Sequence, residues 1–209
     1  MNGPGGAAAQ PASAWNIANA LTVVRLLLVP LLAWLLLYDG DDGTAARVAA
    51  FGVFAVAAGT DRIDGELARR RGLVTDFGKI ADPIADKALM GAALVGLSML
   101  GELAWWITVT ILIREVGVTL LRFWVIRHGV IPASRGGKLK TLLQILAVGL
   151  YLLPLDGWLA TGRAWVMAAA VVVTVATGAD YVLRAVRLRQ GSGSAQAEGG
   201  DRTTRPDPR

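Results

Sequence analysis

The feature that most constrains this chain is a series of apolar blocks, each near the ~20 residues a helix needs to cross a bilayer core. Six are read, at about 20–38, 45–59, 84–100, 105–126, 142–155 and 165–183. The second continues as helix into the polar string DRIDGELARR, and Pro154 marks the end of the short fifth. The predicted fold is an all-α integral membrane protein with six transmembrane helices and an N-terminal interfacial segment. That segment carries Trp15 and Arg25 around an apolar start. Composition agrees: 54% of the residues are apolar and 18% charged, too little polar surface to cover a soluble globule. The absence of cysteine excludes disulfides, thiolate metal sites and cysteine nucleophiles.

Residues 1–14 have no basic residue ahead of an apolar core and do not read as a secretory signal. Residues 190–209, mostly the string GSGSAQAEGGDRTTRPDPR, have almost nothing to bury. Both stretches are expected to be disordered tails around a catalytic membrane domain at 15–189. The net charge of +5 would suit nucleic acid, but its distribution suits a membrane better, and no nucleic-acid partner is expected. Arg62, Arg69, Arg70, Arg71 and Lys79 fall in the 2–3 connection, with Lys87 just beyond. Arg127, Arg135, Lys138 and Lys140 fall between spans four and five; Arg184, Arg187 and Arg189 follow span six. The opposite side has Arg47 and Arg163 among several acids. Basic loops stay inside, so both termini are predicted to be cytoplasmic in a multi-pass protein of the cell membrane.

The second helix ends in Asp61-Arg-Ile-Asp64-Gly65-Glu-Leu-Ala68-Arg69, and Gly78-Lys-Ile-Ala-Asp82-Pro-Ile-Ala-Asp86 opens the third. Helical residues three and four apart share a face. Asp61, Asp64, Gly65, Ala68 and Arg69 therefore form one stripe, and Gly78, Asp82 and Asp86 another. Set against each other by antiparallel helices, the stripes would gather four carboxylates near the cytoplasmic surface. Such a set needs positive charge among it. All-oxygen donors select Mg²⁺ or Mn²⁺, and a pair of such ions suits in-line phosphoryl displacement. Gly65, Ala68 and Gly78 leave room for a ligand against bare backbone, and Arg69 can grip a phosphate in bidentate fashion. Taken singly, any one of these Asp reads as well as a solvated charge or a partner of Arg62, Arg69, Arg70 or Arg71 as it does as a metal ligand.

The whole string fits D-x2-D-G-x2-A-R-x8-G-x3-D-x3-D at every fixed position. It resembles the signature of the CDP-alcohol phosphatidyltransferases, integral membrane enzymes with six transmembrane helices. The resemblance implies that an alcohol attacks the lipid-bearing phosphoryl group of a CDP-linked donor and releases CMP. It assigns Asp61, Asp64, Asp82 and Asp86 to two Mg²⁺ or Mn²⁺ ions, with Asp86 as the catalytic base for the acceptor hydroxyl. It assigns Asp64, Gly65, Ala68, Arg69 and Gly78 to the CDP pocket. A homodimer is also implied.

The fourth span contains Arg114, Glu115 and Arg122, and Ser134-Arg-Gly-Gly-Lys138-Leu-Lys140-Thr141 opens the fifth. Charges inside a span default to a functional reading. Arg114, Lys138 and Lys140 could gather around a second anion, for which a phosphate on the acceptor is the natural candidate. The plainer readings are positive-inside topology for the lysines and an ion pair of Arg114 with Glu115 or Asp180. Within the family, Ile-Arg-Glu followed by G-K-x-K-T, and the opening Asn16-Ile-Ala-Asn19-Ala-Leu-Thr22-Val-Val-Arg25, resemble the members that join CDP-diacylglycerol to glycerol 3-phosphate. Ala18 stands where proline is common there. Rival acceptors are inositol phosphate and phosphatidylglycerol. An ion-coupled transporter and a metal-free membrane scaffold are the readings from other classes. Trp105, Trp106, Trp158 and Trp165 fit an aromatic belt, and His128, the single histidine, sits in a basic loop.

Overall fold

The computed structural model describes the backbone of residues 17–38, 43–71, 76–125 and 135–201, and side chains at 20–38, 43–60, 81–121, 137 and 139–186. Six helices make up those residues: α1 (Ile17–Leu37), α2 (Gly43–Arg71), α3 (Asp76–Met99), α4 (Trp105–Val125), α5 (Arg135–Leu152) and α6 (Gly157–Asp201). The prediction of an all-α chain holds. Three of the helices carry stretches long and apolar enough to cross a membrane among the described residues: Ala20–Leu37, Gly43–Thr60 and Gly157–Val186. The apolar stretch of α5, Leu139–Leu152, is shorter. Charge explains why α3 and α4 fall outside: α3 opens through Asp76, Lys79, Asp82, Asp86 and Lys87, and α4 carries Arg114, Glu115 and Arg122.

The interior is apolar, with Phe54, Leu32, Leu94, Leu97 and Ile111 fully buried, but the outside of this protein is apolar as well. Many large apolar side chains lie outside: Trp158 is 81% exposed, Ile113 68% and Leu27 66%. Alanines at 50, 57, 81, 85, 93, 147 and 170 are buried. Water cannot be the solvent for so much exposed leucine, valine and tryptophan. With several long apolar helices, this is a membrane protein. Trp105, Trp106, Trp158 and Trp165 are all exposed.

The chain divides into two compact units. In the first, which holds α1, α2, α3 and residues 151–154 at the end of α5, α1 packs along both α2 and α3. α3 presents Ala81, Ala85, Leu89, Ala93 and Leu97 as a buried stripe of period four. Small residues let the helices approach closely: a methyl group on Gly96 would meet Leu36 Cδ1 at 2.7 Å. Gly101, at φ 73°, ends the helix where an L side chain would be strained, and the Glu102 N–H bonds the Leu97 carbonyl at 3.0 Å. Arg47 then ties three segments together. Its Nη1 donates to Glu102 Oε1 at 2.5 Å, and its Nη2 to the Tyr151 carbonyl at 2.8 Å. The latter is one of the carbonyls that a helix C-terminus leaves unpaired.

The second unit holds α4, most of α5, and α6, with α4 packed along α6. Gln144 and Thr174 are both buried, and Gln144 Nε2 donates to Thr174 Oγ1 at 3.0 Å. That hydroxyl in turn donates to the Ala170 carbonyl at 2.6 Å, so α5 is stitched to α6 by a satisfied polar chain. α6 begins earlier than predicted and runs on to Asp201, past the composition change at 190. An established helix adds one backbone bond per residue without a new nucleus, so a polar sequence is no bar to continuation. Residues 1–16, with Trp15 and the start of the interfacial segment, lie outside the described residues, as do His128 and 202–209.

Candidate active site

Both stripes of the aspartate signature fall on helix. Asp61, Asp64, Gly65, Ala68 and Arg69 occupy the last turns of α2, and Gly78, Asp82 and Asp86 the first turns of α3. The side chains of 61–80 lie outside the described residues, so positions can be compared through Asp82 and Asp86 alone. These two follow Ala81 and Ala85 by one residue each, about 100° round the helix from the stripe that packs inward. Asp82 is half-buried and Asp86 exposed. Ile84, on the far side, is 56% exposed.

A residue from α1 completes the local structure around Asp82. Thr22, 2% exposed, donates its hydroxyl to Asp82 Oδ1. The bond orients the carboxylate and occupies one lone pair of one oxygen, leaving other lone pairs able to take a ligand. Such an outer hydrogen bond is the usual means of fixing a metal-binding carboxylate. In the sequence, Thr22 stands out only as part of the N-terminal pattern. Its signal was a hydroxyl in a helix otherwise almost wholly apolar. Arg25, one turn further along α1, is also 2% exposed, which places a charge inside the protein where the sequence suggested an interfacial role.

Among the described residues no three His, Cys, Asp or Glu side chains group as a metal site, and these include only Asp82 and Asp86 of the quartet. The donor set nevertheless fits hard divalent cations. It is all oxygen, spaced at i, i+3 and i, i+4 on helices, with one member already held by a hydroxyl.

The second unit brings together part of the other predicted set. Arg114 Nη1 donates to Glu115 Oε1 at 3.1 Å, and Lys140 Nζ to the same oxygen. Lys140 is 5% exposed. Arg114 Nη2 bonds Thr177 Oγ1 at 3.1 Å, while the Thr177 proton goes to the Val173 carbonyl at 2.7 Å. The hydroxyl is thereby fixed as an acceptor for the arginine. Gly178 leaves room for the arginine stem: a methyl group there would stand 3.0 Å from Arg114 Cγ. Asp180 pairs with Arg184 at 2.9 Å across one exposed turn of α6 and takes no part. The side chain of Lys138, on α5 two residues before Lys140, lies outside the described residues, as does that of Arg122.

Residues 15–176 match the model of one protein family, described as CDP-alcohol phosphatidyltransferase. The chain belongs to the CDP-alcohol phosphatidyltransferase family. It is an enzyme of phospholipid biosynthesis and a transferase, which sets aside the transporter and scaffold readings. Among the relatives of this phosphatidyltransferase is the probable phosphatidylglycerophosphate synthase of Mycobacterium tuberculosis, 59% identical over 172 residues and covering 82% of each chain. The CDP-diacylglycerol–glycerol-3-phosphate 3-phosphatidyltransferase of Bacillus subtilis is 38% identical over 149 residues, 66% of this chain and 77% of its own. The protein of the same name from Rickettsia typhi is 34% identical over 171 residues, 79% of this chain and 94% of its own. The matched span of this phosphatidyltransferase contains the aspartate signature, Arg114, Glu115 and Lys140.

Proposed function

We propose that this phosphatidyltransferase transfers the phosphatidyl group of CDP-diacylglycerol to glycerol 3-phosphate, giving phosphatidylglycerol phosphate and CMP. The observation that carries the reading is the 59% identity, across 82% of both chains, to a relative named probable phosphatidylglycerophosphate synthase. The unbroken aspartate signature supports it from within the chain.

In the proposed reaction, the acceptor hydroxyl oxygen attacks the phosphorus that bears the diacylglycerol. Its bond to that phosphorus forms as the bond to CMP breaks, and the hydroxyl proton passes to a carboxylate. Asp86, exposed on α3, is assigned that proton. Asp61, Asp64, Asp82 and Asp86 would hold two Mg²⁺ or Mn²⁺ ions, with Thr22 fixing Asp82. The ions, when bound, supply charge neutralisation for the pyrophosphate and stabilise the departing CMP oxygen. Asp64, Gly65, Ala68, Arg69 and Gly78 would line the CDP pocket, the small residues admitting the nucleotide and Arg69 gripping phosphate. Arg114, Lys138 and Lys140 would receive the acceptor's phosphate.

The reading includes six crossings, with the membrane domain at 15–189 and tails at 1–14 and 190–209. It puts the site and both termini on the cytoplasmic side, where the basic connections lie. In unit 1, Arg47 joins the start of α2, the α3–α4 turn and the end of α5, the segments that alternating crossings bring to one end. A homodimer is part of the same proposal.

The test is an acceptor panel. Purified protein in detergent, supplied with CDP-diacylglycerol and Mg²⁺, is expected to release CMP when glycerol 3-phosphate is added. Inositol phosphate and phosphatidylglycerol are expected to give none. CMP release with one of those two instead would reassign the acceptor, and silence with all three would end the proposal.

A further inference from the structure

α1 and α3 run parallel and in register. Thr22 bonds Asp82 towards one end of the pair and Leu36 meets Gly96 towards the other, each pair 60 residues apart in the sequence. Thr22, Arg25, Val29, Leu32 and Leu36 recur at steps of three and four; all are buried except the half-buried Val29, and they form the inward face of α1. Val23, Val24, Leu27, Leu31 and Trp34 are exposed. Arg25 therefore occupies a seam position that an apolar residue would fill at less cost, as Leu32 and Leu36 do. At 1.5 Å per residue it stands about 4.5 Å along the axis from Thr22, and Asp86 stands about 6 Å along from Asp82. The register thus sets Arg25 at a level between the two aspartates of α3. α1 also packs along α2, where Ala50, Phe54 and Ala57 are buried. The same steps of four and three continue along that helix to positions 61, 64 and 68, where Asp61, Asp64 and Ala68 stand.

We infer that Arg25 is a donor-binding residue of the active site, a cation that α1 supplies from inside the protein to the pyrophosphate of the CDP-linked donor. This deepens the function proposed above and rests on it. Two divalent ions match four ionised aspartates in formal charge. The donor's two phosphates, with one negative charge each, then arrive as charge still to be met. A cation in the packed seam meets it with little water to weaken the attraction, whereas a cation on the surface would be screened. Arginine suits such a place because its charge persists on burial and its planar fork matches two phosphate oxygens. The guanidinium has five donors, so a carboxylate of the site and a phosphate can be served by different edges of it. One face of α1 thereby does two jobs. Thr22 holds a proposed metal ligand, and Arg25, next along the seam, meets the substrate.

The experiment compares two affinities in Arg25→Met, whose side chain fills the seam without charge, on the full-length protein in detergent at constant ionic strength. CDP binding at saturating Mn²⁺, read by isothermal titration calorimetry, is expected to weaken about tenfold or more. Mn²⁺ binding without nucleotide, read by electron paramagnetic resonance, is expected to be unchanged or tighter, because a cation that repels the ions is gone. Unchanged CDP affinity would reduce Arg25 to a counter-ion of the aspartates and overturn the inference. Weakening of both ligands would make Arg25 structural and likewise overturn it. Should the methionine variant not fold, Arg25→Lys keeps the charge and loses the fork. A severalfold loss of CDP affinity with Mn²⁺ binding intact is then expected, and no loss counts against the assignment. Steady-state kinetics separate the two substrates: the KM for CDP-diacylglycerol is expected to rise while that for glycerol 3-phosphate stays near wild type. A rise confined to glycerol 3-phosphate would move Arg25 to the acceptor and sink the assignment. CMP release by the wild-type preparation keeps the failures apart. Turnover there, with CDP affinity unaltered in the variant, removes Arg25 alone, whereas no turnover with glycerol 3-phosphate removes the functional reading beneath it.

Discussion

The two units carry their charged residues in different ways. In the first, the aspartates recur along single helices at three- and four-residue intervals, from Asp61 to Asp64 and from Asp82 to Asp86. In the second, Arg114 and Lys140 come from different helices and meet only because both reach one oxygen of Glu115. A site written in helical spacing is local information, whereas a site written in convergence depends on how helices pack. The difference also has energetic weight. The α3 aspartates lie beside the packed stripe, Asp82 half-buried and Asp86 exposed. The cations of unit 2 are largely withdrawn from solvent, so each depends on its partners.

The comparison can be pressed hardest at Asp82. Replacing it with asparagine removes a proposed metal ligand from the centre of the reaction, and CMP release is expected to fall about a thousandfold or more, several kcal/mol at the barrier. Residual activity above a tenth would dissociate the aspartate stripe from catalysis. In the other unit, Lys140→Met removes one member of a buried charge cluster. Losses of this kind run to about 2–5 kcal/mol, and the KM for glycerol 3-phosphate is expected to rise more than tenfold while that for CDP-diacylglycerol stays near wild type. An equal rise in both would make the cluster structural.

Thr22 sharpens the contrast, because it brings convergence into the region that spacing otherwise describes. Thr22→Val removes the hydrogen bond to Asp82, and Mn²⁺ affinity, read by electron paramagnetic resonance, is expected to weaken about tenfold. Thr22→Ser, which restores a hydroxyl, should recover most of it. A valine variant with unaltered Mn²⁺ binding would leave Asp82 oriented by its helix alone. The smallest effect belongs to Arg184→Ala. That pair spans one exposed turn of α6, and such pairs contribute about 0.3–0.5 kcal/mol. Activity and melting temperature are expected to stay within error of wild type; a clear loss would mean that Asp180 has a further role.

The placement of the aspartate signature on two helices was legible in the sequence because of these intervals. The all-helical architecture, the placement of both signature stripes on helix and the exposed tryptophans follow from residue type and period. Glu115 was visible only as an alternative partner for Arg114, and it turned out to hold Lys140 as well. The reach of α6 to Asp201 was hidden because composition marks where burial ends, which is a different boundary from where hydrogen bonding ends.

Sequence by itself determined the solvent and the helices, since apolar runs and i, i+3/i+4 spacings act over a few turns and need no distant partner. Its aspartate signature carried the family resemblance. Tertiary structure alone decided which side chains meet across helices: Thr22 with Asp82, Arg47 with the end of α5, Arg114 with Thr177, and Lys140 with Glu115. The physical reason is range. A helical repeat is set by the backbone within one segment, but a hydrogen bond between helices exists only once packing has brought two distant stretches of chain to within about 3 Å.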